Sequence, residues 1–559
     1  MTRVPVLFIP GITGSFNLGV LLNWQGPTLK DWNFPPFTDY GKPLTAAFTA
    51  AGYRRDHDFF VAFYDWRMSV KDSAITYLKP WIDRAKQRSG ASTVILIGHS
   101  MGGLVARSYL QSPAYEDDVA HLITLGTPHR GAADSYYAWG AGEPKSDGQI
   151  KVVFDVYLWY LRHAHPFQTE LDRLRAMRTL VPGVRDLLPI DGFLLNEGGP
   201  ALPKRPATLV ERNLVGDMLN QSTSIETLVA RVPVTTISGI GRATIATITV
   251  TSPPIPPGDP PRFPDGAPVS DQSSSDGDGT VLRSNAQVNH PQVKNSPPLH
   301  DVGHGTMPDH PATIERIFAS LQADPPPVLG GLPVTEPRLV IMTASPVTMQ
   351  VEVPAGSAMQ APTVLGGTPE QAPTRRKRVI KGRDHGHQGK HLNMVVIPQP
   401  VAGSYSVHVT GTATGVFAVG AMLIGAEATT LLGGGETSEG TLNRSENTSI
   451  TTRHGQVAAG TELFFAVDCQ HLDVAPEMWL DKTKTMNHAV ERLRTAMQTT
   501  EPTVLGGGSE GDEIVNAALR SATEPSDQVD TLCKLAEQML GPHNEDLAEA
   551  VIMQLRAVK

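Results

Sequence analysis

Five short runs in the first half of the chain are apolar at nearly every position: residues 4–9 (VPVLFI), 59–63 (FFVAF), 93–97 (TVILI), 121–125 (HLITL) and 232–237 (VPVTTI). Runs of this length, closed by turn residues, read as strands buried on both faces. Between them, residues 43–52, 68–88 and 102–110 place apolar side chains at helical spacing, and a further helix begins near Pro311. Strands alternating with helices at this rhythm predict a mostly parallel sheet flanked by helices. Ligands of such sheets bind at the carboxyl ends of the strands. Residues 132 to about 230 interrupt the rhythm with several short helical patterns and an aromatic stretch at 152–161, and they read as a cap insertion.

The pattern changes after residue 321. A proline- and glycine-rich joint at 325–331 (PPPVLGG) recurs at 362–367, 430–435 and 502–508, at separations too irregular for a solenoid. Residues 338–353 and 394–423 alternate apolar and polar positions, which predicts a β-sandwich, and 456–469 would add strands. Residues 487–498, 513–521, 528–540 and 544–558 read as helices. The expected organisation is a catalytic domain over 1–322 (cap about 132–230), a linker over 323–335, a sandwich over 336–425 and a mixed β/helical region over 426–559.

Composition narrows the function classes. At 559 residues the chain exceeds one ordinary domain, and its net charge of −9 gives no electrostatic case for nucleic acid. Two cysteines, Cys469 and Cys533, argue against a disulfide framework and for a reducing compartment. No signal peptide is visible, so a cytoplasmic location is expected, with export by a signal-less route left open. The apolar run at 415–426 is too short and glycine-rich to span a bilayer.

Candidate chemistry concentrates in the first domain. Residues 98–102, Gly-His-Ser-Met-Gly, form a G-x-S-x-G between a buried strand and a helix. Ser100 would sit on a sharp turn with its hydroxyl exposed, beside a helix N-terminus suited to an anion. The turn at 10–15 (PGITGS) follows the first strand, where a second oxyanion donor would lie. Residues 22–40, with Trp24, Trp32, Phe34 and Phe37, form either an acyl groove or a packed loop. Asp276 and Asp278, then His300, His304 and His310, follow the serine in the order of an α/β-hydrolase triad. The D-x-D spacing also suits calcium, but the later ligands of an EF-hand loop are missing. Among the histidines, His304 lies between Gly303 and Gly305, which would let its loop turn the ring toward Ser100. Residues 375–378 (RRKR) with His385, His387 and His391 read as a solvated loop rather than an anion or metal site.

These residues resemble a family, lecithin:cholesterol acyltransferase and its phospholipase A/acyltransferase relatives. The matching blocks are 6–14 (VLFIPGITG), 64–67 (YDWR), 98–102, 125–128 (LGTP), 238–241 (SGIG), 277–281 (GDGTV) and 298–304, all within about residues 1–320. The resemblance implies Ser100 as nucleophile, Asp278 as triad acid, His304 as base, and the N–H groups of Ile12 and Met101 as the oxyanion hole. It implies ester chemistry on a lipid or other ester substrate, with room for transient membrane-surface contact, and no metal or organic cofactor. The lid disulfide of secreted animal members is absent, and residues 22–40 do not match closely, so the sterol acceptor of those members does not carry over. A soluble esterase or peptidase on the same scaffold, and an inactive front end with a binding module behind it, are the rival readings.

Overall fold

The computed structural model describes residues 3–21, 26–36, 38–143, 145, 170–199, 208–251, 261–323, 325, 337–344, 346–354, 363–365, 379–381, 392–424, 451–469, 476–499, 510–521 and 524–559. The described residues divide into two compact units, one ending at residue 325 and one starting at residue 337.

In the first unit the apolar runs become strands β1 (Val6–Ile9), β2 (Phe59–Val61), β3 (Val94–His99), β4 (Val119–Leu125) and β5 (Val234–Ile237), joined by a two-residue β6 (Lys294–Asn295). They form one six-stranded sheet in the order β6-β5-β4-β3-β1-β2. Every neighbouring pair is parallel, with Val6 opposite Ile95, Leu96 opposite Leu122 and Leu122 opposite Val234. All four residues of β1 are fully buried, so adjacent positions that face opposite sides of the sheet are both covered. Three helices matter for the site: α1 (Lys42–Ala50), α2 (Met101–Leu110) and α3 (Pro311–Ser320). This is an α/β-hydrolase fold with a cap.

Between β4 and β5 the described residues form helices Ser135–Ala141, Glu170–Leu180, Leu214–Leu219 and Ser222–Arg231, and a 3-10 turn at Pro182–Leu187. A small sheet of Leu194–Asn196, Thr244–Val250 and Pro268–Ser274 adds strands from beyond residue 230. The aromatic stretch at 152–161 lies outside the described residues, as do the basic run at 375–378 and His385, His387 and His391.

The second unit holds two five-stranded antiparallel sheets. Their facing sides share one core that includes Leu339, Ile341, Val347, Val407, Val419, Leu463 and Phe465. Strands Thr451–Val457, Glu462–Asp468 and Glu477–Leu480 belong to these same sheets. The sandwich thus extends to Leu480, past the boundary at 425 that composition suggests. Helices Lys482–Thr499, Glu510–Ser521, Pro525–Leu540 and Glu545–Ala557 build a separate apolar cluster around Leu493, Leu532, Val551 and Leu555. Among the described residues, no helix is long and apolar enough to cross a membrane.

Candidate active site

Ser100 stands between β3 and α2 with φ +52° and ψ −126°, a strained conformation for a residue with a side chain. Its N–H donates to the carbonyl of Leu125 at 2.9 Å, which fixes the turn against the end of β4. A Cβ at Gly102 would stand 2.3 Å from the carbonyl oxygen of Ile9, so only glycine lets α2 start this close to the sheet. The serine is 4% accessible, not exposed as the motif alone suggests. Ser100 lines a pocket with a cavity volume of about 50 Å³. Ile12, Pro128, Ala132, Ala138, Val184, Leu187 and Val281 supply apolar walls, with Asp134, Ser135, Lys145, Thr280 and His304 as polar members.

His304 begins the 3-10 turn His304–Asp309, and its ring lies between Ser100 and Asp278. Nε2 is 2.8 Å from Ser100 Oγ, and Nδ1 is 2.8 Å from Asp278 Oδ2. A carboxylate only accepts, so Nδ1 carries the proton and Nε2 accepts from the serine hydroxyl. The other carboxylate oxygen of Asp278 accepts the N–H groups of Thr280 and Val281 at 3.0 and 2.7 Å. The N–H of His304 donates to the carbonyl of Asp278 at 2.8 Å, so backbone and side chain tie the same pair. All three side chains are buried.

The flanking glycines do not turn the ring, contrary to the expectation from sequence. Gly303 is extended at φ −74°, and a Cβ at Gly305 would meet nothing within 4 Å. The double tie to Asp278 sets the orientation instead. Gly126 is the glycine the site requires: at φ +52°, a Cβ there would stand 2.9 Å from Asp278 Oδ2 and 3.1 Å from His304 Nδ1.

The remaining candidates lie elsewhere. Asp276 pairs with Arg283 at 2.8 Å, so the two aspartates of the D-x-D do not converge on one ion. His300 is exposed on the short strand Leu299–His300, and His310 caps α3 by accepting the N–H of Ala312 at 3.3 Å. Ile12 lines the pocket beside Ser100, in a turn closed by Gly14 N–H donating to Gly11 at 3.1 Å. Met101 is fully buried at the first position of α2, where the N–H has no intrahelical acceptor. None of the described residues 26–36 and 38–40 lines this pocket, and Phe34 packs against Phe8, Tyr40 and Phe63, edge-on or tilted. Trp24 and Phe37 lie outside the described residues. The ligand-like acidic group Asp83, Glu116 and Asp118 faces Lys79 and Lys86 and is not part of the pocket.

The Tyr-Asp-Trp-Arg block supports the site without entering it. Asp65 and Arg67 form a buried two-point pair at 2.7 and 2.8 Å, and Arg67 also holds the carbonyl of Val20 at 2.9 Å. Trp66 Nε1 donates to Ser15 at 3.0 Å, at the end of the Ile12 turn. The carbonyl of Arg67 accepts Gly183 N–H at 2.8 Å, next to the pocket wall at Val184. Sequence reading missed a second network. Tyr40 Oη accepts the N–H of Gly11 at 2.9 Å and bonds His99 Nδ1 at 2.8 Å, and His99 Nε2 meets the carbonyl of His304 at 3.0 Å. His99 stands at the variable position of the G-x-S-x-G, where the pattern carries no signal.

Residues 40–152 match the family model described as lecithin:cholesterol acyltransferase. Phospholipase A(1) LCAT3 of Arabidopsis thaliana is 39% identical over 84 residues, 14% of this chain and 19% of that protein. A GPI inositol-deacylase of Candida albicans is 30% identical over 128 residues, 22% of this chain and 31% of that protein. A triacylglycerol lipase of Burkholderia plantarii is 26% identical over 183 residues, 32% and 45% of the two chains. The chain therefore spans less than half the length of these relatives. Among solved structures, the mature Bacillus licheniformis lipase BlEst2 aligns at a TM-score of 0.31 and 15% identity, over 58% of this chain and 93% of that one.

Proposed function

We propose that this chain, a relative of the lecithin:cholesterol acyltransferase family within the α/β-hydrolase group, cleaves an ester of a lipid-like substrate through an acyl-enzyme on Ser100. The observation that carries this is the continuous hydrogen-bond chain from Asp278 through His304 to Ser100 at an apolar pocket. Ser100 Oγ attacks the ester carbonyl carbon as His304 Nε2 takes the hydroxyl proton, and the carbonyl electron pair moves onto oxygen. Asp278 stabilises the imidazolium. The N–H groups of Ile12 and Met101 are assigned to the oxyanion, each worth roughly 3 kcal/mol in comparable sites. Collapse breaks the ester C–O bond, the leaving alkoxide takes the proton from His304, and an acyl group stays on Ser100. Water or an alcohol then gives a proton to His304 as it attacks the acyl carbon, the Ser100 Oγ–acyl bond breaks, and Ser100 Oγ takes that proton back from His304. No residue needs to be oxidised or reduced.

Catalysis is assigned to residues 1–322, and the apolar walls from Ile12, Val184 and Leu187 suit an acyl chain. A lipid substrate brings transient contact with a membrane surface. Cys469 and Cys533 are both unpaired and buried, which suits the reducing cytoplasm. The test is a series of p-nitrophenyl esters of rising acyl length together with phospholipid vesicles. Rising kcat/KM with chain length and release of fatty acid from vesicles are expected. A preference for acetate with inert vesicles would replace the lipid reading by a soluble carboxylesterase.

A further inference from the structure

The network through Tyr40 and His99 has a direction that the donors and acceptors fix. The carbonyl of His304 can only accept, so His99 Nε2, 3.0 Å away, carries the ring proton. His99 Nδ1 is then an acceptor, and the group 2.8 Å from it is the hydroxyl of Tyr40. Tyr40 donates there and uses its oxygen to accept Gly11 N–H at 2.9 Å. One chain of hydrogen bonds therefore runs from Gly11 through Tyr40 and His99 to the backbone of His304.

Its two ends are the two sides of the reaction. Gly11 precedes Ile12, which lines the pocket beside Ser100, and His304 accepts the serine proton in the reading above. Tyr40, His99 and His304 are 7%, 1% and 0% accessible, so the chain is shielded from bulk solvent. The segment of His304 meets that of Tyr40 a second time: the buried Asp309 carboxylate accepts Gly41 N–H at 2.7 Å and Leu44 N–H at 3.2 Å, at the start of α1. The rings of His99 and His304 lie 5.0 Å apart, centroid to centroid. A positive His99 would oppose the imidazolium forming on His304, and burial keeps His99 neutral. The Tyr40 hydroxyl, occupying Nδ1, holds it in that state.

We propose that Tyr40 and His99 are positioning residues that lock the turn carrying the Ile12 N–H to the backbone of His304, so that oxyanion donor and base keep one relative geometry through the acyl transfer. This rests on the assignment of Ser100 and His304 given above. A displacement of about 1 Å between such groups costs on the order of 10²-fold in rate.

The test uses the full chain with Tyr40→Phe, His99→Phe, both together, and His99→Gln, assayed on p-nitrophenyl butyrate with Ser100→Ala alongside and folding checked by near-UV circular dichroism. Each Phe variant should lose roughly 10- to 100-fold in kcat with KM within about threefold. The double variant should lose no more than the worse single one, because either change breaks the same chain. His99→Gln should recover part of the loss, since its amide still donates to His304. A folded Tyr40→Phe or His99→Phe with kcat within about twofold of the parent, or losses that multiply in the double variant, would overturn the proposal. An active Ser100→Ala would instead overturn the reading of the site itself. An inert Ser100→Ala beside a fully active Tyr40→Phe removes only the positioning role.

Discussion

At the scale of single residues, the site is held by backbone as much as by side chains. Gly126 shows this: it sits at positive φ with Asp278 and His304, the proposed acid and base, on the side where a Cβ would go. Gly126→Ala should therefore push Asp278 and His304 apart and lower kcat at least about tenfold, with the fold retained as judged by circular dichroism. Parent-like kcat would show that the pair tolerates the shift. Asp309 supplies a pH-dependent contribution. Burial pushes its carboxyl up to about 7, against the pull of the Gly41 and Leu44 N–H groups. An unfolded aspartate ionises near 4, so between roughly pH 4 and 7 the native state binds more protons than the unfolded one. Its contribution is complete below that window and is lost as pH rises through it. Asp309→Asn should flatten this part of the profile, so the fall in Tm from pH 4.5 to 7.5 should be smaller than in the parent. Parallel profiles would contradict the assignment. The nucleophile, acid and base candidates were legible because strand, turn and helix patterns surround Ser100 and because Asp278 and His304 follow it in triad order. Tyr40 and His99 were not legible, since their contacts join positions 59 and 205 residues apart and no local pattern encodes them.

At the scale of elements, hydrophobic periodicity recovered the strands well, because strands buried on both faces leave uninterrupted apolar runs. It did less well where covalent geometry intervenes. The helix expected over 68–88 contains Pro80, which lacks an N–H. The chain stays helical by widening into a π turn at Ala74–Leu78 between Val70–Ser73 and Lys79–Ser89. The Tyr-Asp-Trp-Arg block was visible as a motif, while its work of bracing the Ile12 turn and the cap was not, since that depends on contacts with Ser15 and Gly183. The loop before α3 offers a direct comparison of three histidines. His304→Gln should remove at least about 10³-fold of kcat by analogy with triad losses. His300→Gln, on an exposed strand end, should stay near the parent. His310→Gln should keep activity and cost about 1 kcal/mol of stability through the weakened cap of α3. Abolished activity in a folded His300→Gln, with His304→Gln active, would reverse the assignment.

At the scale of the whole molecule, composition changes near residue 325, and the described residues form two compact units, one ending at residue 325 and one starting at residue 337. The extent of the sandwich was not legible, because residues 425–450 interrupt its strand pattern and the remaining strands rejoin the same sheets through pairing such as Gly415 with Val457. A chain ending at Ala323 should stay soluble, melt cooperatively and hydrolyse p-nitrophenyl butyrate at a rate within about threefold of the full chain, since the sheet, cap and pocket all precede that point. An insoluble or inactive product would show that the second unit completes the first. The central claim is that Ser100 is a nucleophile activated by His304. Its most direct measurement is intact-mass and peptide mass spectrometry after treatment with a fluorophosphonate. One phosphonyl group per chain, on the peptide containing Ser100, is expected in the parent, with little or none in folded His304→Gln. No adduct on the parent, or an adduct elsewhere in the chain, would contradict it.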